Sequence, residues 1–156
     1  MITRRRGQRG NALIEFALAT AVLIPFLTGT FQFGYSFYAY NRLQTAVSNG
    51  ARYAAMRTYR SSGGATSIDK VKAAVKNMVV YGTPSPGESP APVVPGLTTG
   101  SVGVTYTLTG TGEPTDVQVQ VNSYTLDALF SSYTFTNKPF AKFPYLGRYA
   151  PAESEP

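Results

Sequence analysis

Any chemistry in this chain must be done by carboxylates, hydroxyls, amides and amines, because its 156 residues include no His and no Cys. That composition removes the usual zinc, haem and thiolate ligands. It also rules out Ser-His-Asp and Cys-His nucleophilic arrangements. No G-x-x-x-x-G-K-[ST] phosphate loop is present, so the sequence calls for no metal and no cofactor. Glu113, Asp116 and Asp127 are the acids open to a two-carboxylate hydrolase. Nothing fixes their separation, and Asp116 reads more naturally as a turn residue, so no catalytic residue is assigned and the chain reads as a non-enzyme. One acid stands apart. Glu15 lies at the start of an apolar segment, in Gly10-Asn11-Ala12-Leu13-Ile14-Glu15-Phe16. A carboxylate facing lipid costs roughly 3 kcal/mol on insertion scales, so such a residue needs a partner or a task.

The elements that must position Glu15 begin with charge. The formal net charge of +6 is concentrated at the N-terminus, where Arg4, Arg5, Arg6 and Arg9 fall within ten residues. Without them ten basic and eight acidic side chains remain, a net of +2. Those are scattered, with no basic stripe interleaved with stacking aromatics, so no nucleic-acid partner is expected. From Phe16 to Asn41 there is no Asp, Glu, Lys or Arg. That run is long enough to cross a bilayer, which takes about 20 helical residues. The Arg cluster before it should stay cytoplasmic, leaving the rest of the chain outside, and membrane lipid is the first partner implied. Phe31, Phe33, Tyr35, Phe37, Tyr38 and Tyr40 gather where the helix would leave the membrane, as an interfacial belt does. The small-x-small patterns at Ala17-Leu18-Ala19 and Ala19-Thr20-Ala21 precede the apolar core, so the segment is expected to remain as an anchor and not to be removed as a secretory signal. Pro25 removes one backbone hydrogen bond and should loosen or kink the helix near Ala21, although spanning helices also tolerate proline.

Two readings of Glu15 stay open at this point. It could reach the headgroups and favour a nearby helix N-terminus, or it could meet a cation in a low-dielectric bundle. A short basic leader ending in Gly, then four residues, then Glu-Phe and an apolar helix resembles the processing site of type IV prepilins. The resemblance implies cleavage between Gly10 and Asn11 by a membrane prepilin peptidase that recognises Gly10, Asn11, Glu15 and Phe16. Asn11 would become the first mature residue, and its new amine would pair with Glu15 of a neighbouring subunit. Asn11 stands where Phe is common, which leaves its N-methylation open.

Beyond the membrane, NRLQTAVSNGARYAAMR continues the helical pattern, with Leu43, Val47, Ala51, Ala54 and Ala55 near one face. Gly50 argues against an unbroken helix, and Ser61-Ser62-Gly63-Gly64 is expected to end it. A second, amphipathic helix follows, with Ser67 as N-cap, Asp69 in the first turn, Ile68, Val71, Val75, Met78 and Val79 as apolar stripe, and Gly82 as stop. Its lysines would suit a membrane surface, but packing on a sheet is the stronger expectation. Prolines 84, 86, 90, 92 and 95 make 83–96 an extended loop. Val102 to Leu108 and Val117 to Val121 alternate apolar and polar around a Gly/Pro/Asp turn, the pattern of a β-hairpin, whose apolar faces could cover the second helix. Leu126 to Phe130 reads as a short helical turn and Ser132 to Thr136 as another strand, before an aromatic tail packed across the domain and an acidic C-terminus.

The expected fold is therefore α+β and pilin-like: a long N-terminal transmembrane helix continuing outward, a second amphipathic helix and a small antiparallel sheet. Its parts are a leader over 1–10, a transmembrane helix over 11–41, a helix extension over 42–60, and a small extracytoplasmic domain over 61–156. Within that order, Glu15-Phe16-Ala17-Leu18 followed by Gly50-Ala51-Arg52-Tyr53-Ala54-Ala55 resembles the TadE-like (TadE/TadG-like) family of tight-adherence pilus systems. The resemblance implies a minor pilin or pseudopilin of the bacterial inner membrane. Its partners would be the prepilin peptidase, other pseudopilins, the major pilin and the inner-membrane pilus platform. An unprocessed envelope anchor or assembly scaffold would share the same helix and outer domain, and the Gly10/Glu15 pair is what separates the two.

Overall fold

The computed structural model describes residues 8–60, 64–128 and 130–150. One helix, α1 (Gln8–Ala55), dominates it. At 1.5 Å per residue its 48 residues span roughly 70 Å, more than twice a ~30 Å hydrocarbon core. Neither Pro25 nor Gly50 interrupts it. Pro25 lies in the exposed half of the helix. Gly50 has a packing role: a methyl group there would overlap Cγ2 of Val79, so glycine lets a second helix come close.

That second helix is α2 (Gly64–Tyr81). It starts earlier than Ser67, which lies inside it, and its first turn holds no acid, so Asp69 is not a first-turn residue. The start shifts because Gly64 opens this helix and does not close the previous one; α1 has already ended at Ala55. Residues 61–63 of the expected break lie outside the described residues. The far end is as expected: Gly82 takes φ +73° and its N–H donates to the Met78 carbonyl at 3.0 Å, a left-handed cap that glycine adopts without strain. Val75, Val79 and Val80 are buried, and the helix packs chiefly on α1, meeting the main sheet only along one edge strand.

The main sheet is three-stranded and antiparallel, in the order β2 (Val102–Leu108), β3 (Pro114–Val121), β6 (Phe140–Pro144). The expected hairpin is β2–β3, with Val102 opposite Val121, Val104 opposite Val119 and Tyr106 opposite Val117. Period-two alternation puts these residues on one face, together with Ala141 and Phe143 of β6. That face lies mainly against α1, through β3 and β6, and meets α2 only along β2. The outer half of α1 supplies the other side of the core with Ala39, Leu43, Ala46, Val47, Ala51, Ala54 and Ala55. On the sheet's wet face the Gln118, Gln120 and Asn122 amides form a hydrogen-bonded ladder. Asp116 pairs there with Lys142 at 3.2 Å.

Two smaller pairings complete the domain. Leu126 is not part of a helical turn: β4 (Ser123–Asp127) is a strand, antiparallel to β5 (Ser132–Thr136). Tyr124 and Leu126 are buried while Ser123, Thr125 and Asp127 are exposed, an alternation that decides for a strand. Leu129 lies outside the described residues. The aromatic tail does cross the domain. β7 (Tyr149–Ala150) pairs in parallel with β1 (Tyr59–Arg60). The Tyr145 hydroxyl accepts from the Tyr59 N–H at 2.8 Å and donates to the carbonyls of Arg57 or Arg148. The acidic C-terminus, 151–156, lies outside the described residues.

Candidate membrane and assembly site

Along α1 the environment changes once. Every residue from Gly10 to Ala19 is exposed, and the helix carries an 18-residue window of mean hydropathy 1.9 with none of it buried. A core helix of a water-soluble domain would bury such a window. From Gln32 onward the same helix turns one face into the protein core. The aromatic belt straddles this change, with Phe31, Phe33, Phe37 and Tyr38 outward. Phe33 and Phe37 stack at 6.5 Å, and the Arg42 guanidinium sits 5.8 Å above Tyr38. A cation backed by aromatic rings suits the water-facing edge of a membrane interface.

Gly10, Asn11, Glu15 and Phe16 all lie on α1 and all are exposed. Asn11 and Glu15 are four residues apart, one above the other on the same helix face. Because α1 begins at Gln8, Glu15 lies about two turns inside the helix and outside its first turn. The stabilisation of an acid by the helix dipole fades within the first turn, so that explanation of Glu15 weakens for the intact chain. Among the described residues no ion pair reaches Glu15. A methyl at Gly10 would meet nothing within 4 Å. The leader residues Arg4, Arg5 and Arg6 lie outside the described residues, as does the side chain of Arg9.

The other acids are dispersed. Asp116 holds Lys142 across β3–β6. Glu113 precedes β3 in the turn, where its N–H donates to the Thr109 hydroxyl. Asp127 ends β4 in a different sheet. Among the described residues no three acids gather into a cluster suited to a metal ion.

The sequence reading missed Gln32. Among the described residues it is the one buried polar residue of α1, 8% exposed. Its amide donates to the Ser131 hydroxyl at 2.7 Å and to the Ser131 carbonyl at 3.2 Å, and its Oε1 accepts from the Phe130 N–H at 3.1 Å. The available signal was a primary amide inside a charge-free run, where an unpaired polar group is costly.

An exposed apolar half-helix joined without a break to a buried one defines a single-pass membrane protein with a small α+β domain at the end of its anchor. Residues 10–52 match the family model described as TadE-like protein. The match covers both Glu15-Phe16-Ala17-Leu18 and the start of the Gly50–Ala55 motif, and it points to tight-adherence (Tad) pilus systems. That family is a pilus-assembly component and not a known enzyme family. No curated protein and no solved structure matches the chain.

Proposed function

We propose that this protein is a minor pilin or pseudopilin that takes part in assembly of a Tad (Flp-type) pilus and is processed by a prepilin peptidase after Gly10. Its anchor would cross the bacterial inner membrane once, N-terminus in the cytoplasm and the α+β domain outside. The observation that carries this reading is Glu15: an exposed carboxylate on an exposed apolar helix, five residues past Gly10, inside the segment that matches the TadE-like model. Cleavage would free an ammonium group at Asn11, one helical turn from Glu15. In the bilayer a carboxylate and an ammonium relieve each other's desolvation. Pairing across neighbouring subunits would join their helices in register, with other pseudopilins, the major pilin and the inner-membrane platform as partners.

The test is the mature N-terminus. Co-expression with the cognate peptidase should yield a chain whose intact mass begins at Asn11, and Gly10→Ala should slow that conversion. Gly10 is exposed with open space around its α-carbon, so a processing defect in Gly10→Ala would report recognition and not misfolding. A chain that keeps Met1 beside an active peptidase would sink this reading and favour the unprocessed anchor or scaffold. Glu15→Ala should be inserted and cleaved but fail in assembly; normal pili in that variant would leave Glu15 with only an interfacial role.

A further inference from the structure

The β4–β5 hairpin stands apart from the main sheet and descends along α1 toward the membrane. Near its base Phe135 packs on Tyr40 with ring centroids 5.4 Å apart. At its tip Phe130 and Ser131 bond to Gln32, eight residues and so ~12 Å nearer the membrane end of the helix. A hydrocarbon core ~30 Å thick takes about 20 helical residues; counted from Phe16, where the charge-free run begins, that length ends at Tyr35, within one turn of Gln32. The tip therefore reaches the level at which the anchor leaves the lipid. At that level Phe130 turns outward, 71% exposed, and Tyr133 of β5 and Phe31 and Phe33 of α1 are exposed with it. From Ala128 to Tyr133 the hairpin carries no charged side chain.

We propose that the β4–β5 tip is a second membrane contact, with Phe130 seated in the headgroup–acyl boundary of the outer leaflet beside the anchor. The occupant of this apolar surface is lipid because the surface is continuous with the lipid-facing side of α1 and lies at its exit. Gln32 fixes the tip to the helix, so the contact holds the domain at a set height and orientation above the bilayer. Asp127, exposed at the end of β4, limits the depth, since a carboxylate carried into hydrocarbon is costly. The proposal rests on the single-pass reading of α1.

The chain has no Trp, so single substitutions place one selective fluorophore at a time. Full-length protein in vesicles of zwitterionic phospholipid would be compared in three variants, Phe130→Trp, Phe26→Trp and Leu146→Trp, whose parent side chains are 71%, 72% and 75% exposed. Leu146 bonds through its N–H to the Ala55 carbonyl at the far end of α1, ~35 Å beyond Gln32. Expected is blue-shifted emission from Phe130→Trp, quenched by lipids spin-labelled near the headgroup more than by lipids labelled deep in the chain. Phe26→Trp should be quenched by deep labels and Leu146→Trp by neither. If Phe26→Trp is quenched but Phe130→Trp emits as in water, the hairpin contact is overturned and the anchor stands. If Phe26→Trp also escapes quenching, the single-pass reading fails and the hairpin contact fails with it. Blue-shifted but lipid-insensitive emission from Phe130→Trp would mean a protein partner covers the tip, which also overturns the proposal.

Discussion

Gly50→Ala tests why one glycine stands in the buried half of α1. In an exposed helix interior the change would stabilise by about 1 kcal/mol, because alanine is the better helix former. Here the new methyl overlaps Cγ2 of Val79, a fully buried side chain on α2. Overpacking of this kind costs about 1–3 kcal/mol, so the net effect should fall between about zero and 2 kcal/mol of destabilisation. For a domain of this size a loss of 1 kcal/mol lowers Tm by roughly 4–8 °C. Because propensity and overlap oppose each other, the single variant is less informative than its coupling to Val79. Val79→Ala alone should cost about 2 kcal/mol from lost burial and the remaining void. In the double variant the methyl added by Gly50→Ala occupies space that the Val79 side chain has vacated, so the overlap disappears and the helix gain survives. The double variant should then be more stable than the sum of the singles by at least about 1 kcal/mol, as contacting sites allow. Thermal unfolding of the full chain in detergent, followed by near-ultraviolet circular dichroism of the tyrosines, measures all four corners of the cycle. Coupling near zero, with Gly50→Ala as stable as the parent or more so, would refute the account of Gly50 as the contact point for α2.

Alkaline pH should destabilise the domain through Tyr106. Burial, then the charges of Tyr145 and Tyr59, push its hydroxyl from the usual 10.0 up to about 12. A folded pKa raised above the unfolded one favours the neutral phenol, so this stability is present below pH 10 and is lost as pH rises from about 10 toward 12; Tyr106→Phe should flatten that fall in unfolding experiments. Gln32→Ala removes the acceptor of the Phe130 N–H and both donations to Ser131. Amide hydrogen exchange at Phe130 should rise severalfold while exchange in β3 stays unchanged, whereas equal rises in both would mean that Gln32 supports the whole domain and not the tip alone.

The sequence carried the order of elements well where a pattern had one dominant cause. Period-two alternation from Val102 to Leu108 and from Val117 to Val121 led to the hairpin, and the charge-free run from Phe16 to Asn41 led to the long helix. Where two causes competed, the sequence was less decisive. Gly50 looked like a helix breaker because propensity is a local quantity, while its reason is Val79 on another helix. Leu126 and Phe130 have helical spacing, but the inward Tyr124 and Leu126 are held by the core, with the Tyr124 hydroxyl bonded to the Pro95 carbonyl at 2.8 Å. The start of α2 shifted because Gly64, read from the sequence as part of a helix-ending run, opens the second helix instead. The partners of Gln32 could not be read from its neighbours, since they are almost a hundred residues away in sequence.

The placement of Gln32 bears on how the two ends of the protein are coupled. No linker separates anchor from domain: Ala39, Leu43, Ala46, Val47, Ala51, Ala54 and Ala55 of the anchor helix are themselves core residues. An axial shift of α1 therefore carries with it the sheet packed on those residues, and the hairpin tip bonded at Gln32 must follow or break three hydrogen bonds. A helix that moved out of the bilayer during assembly would lift the Phe130 contact off the lipid at the same time. The loss of that contact would oppose extraction, while the pairing of Glu15 with a neighbour's Asn11 amine would favour it. On these two proposals Glu15 and Phe130 would act on opposite sides of one balance, through a helix stiffened by its own core.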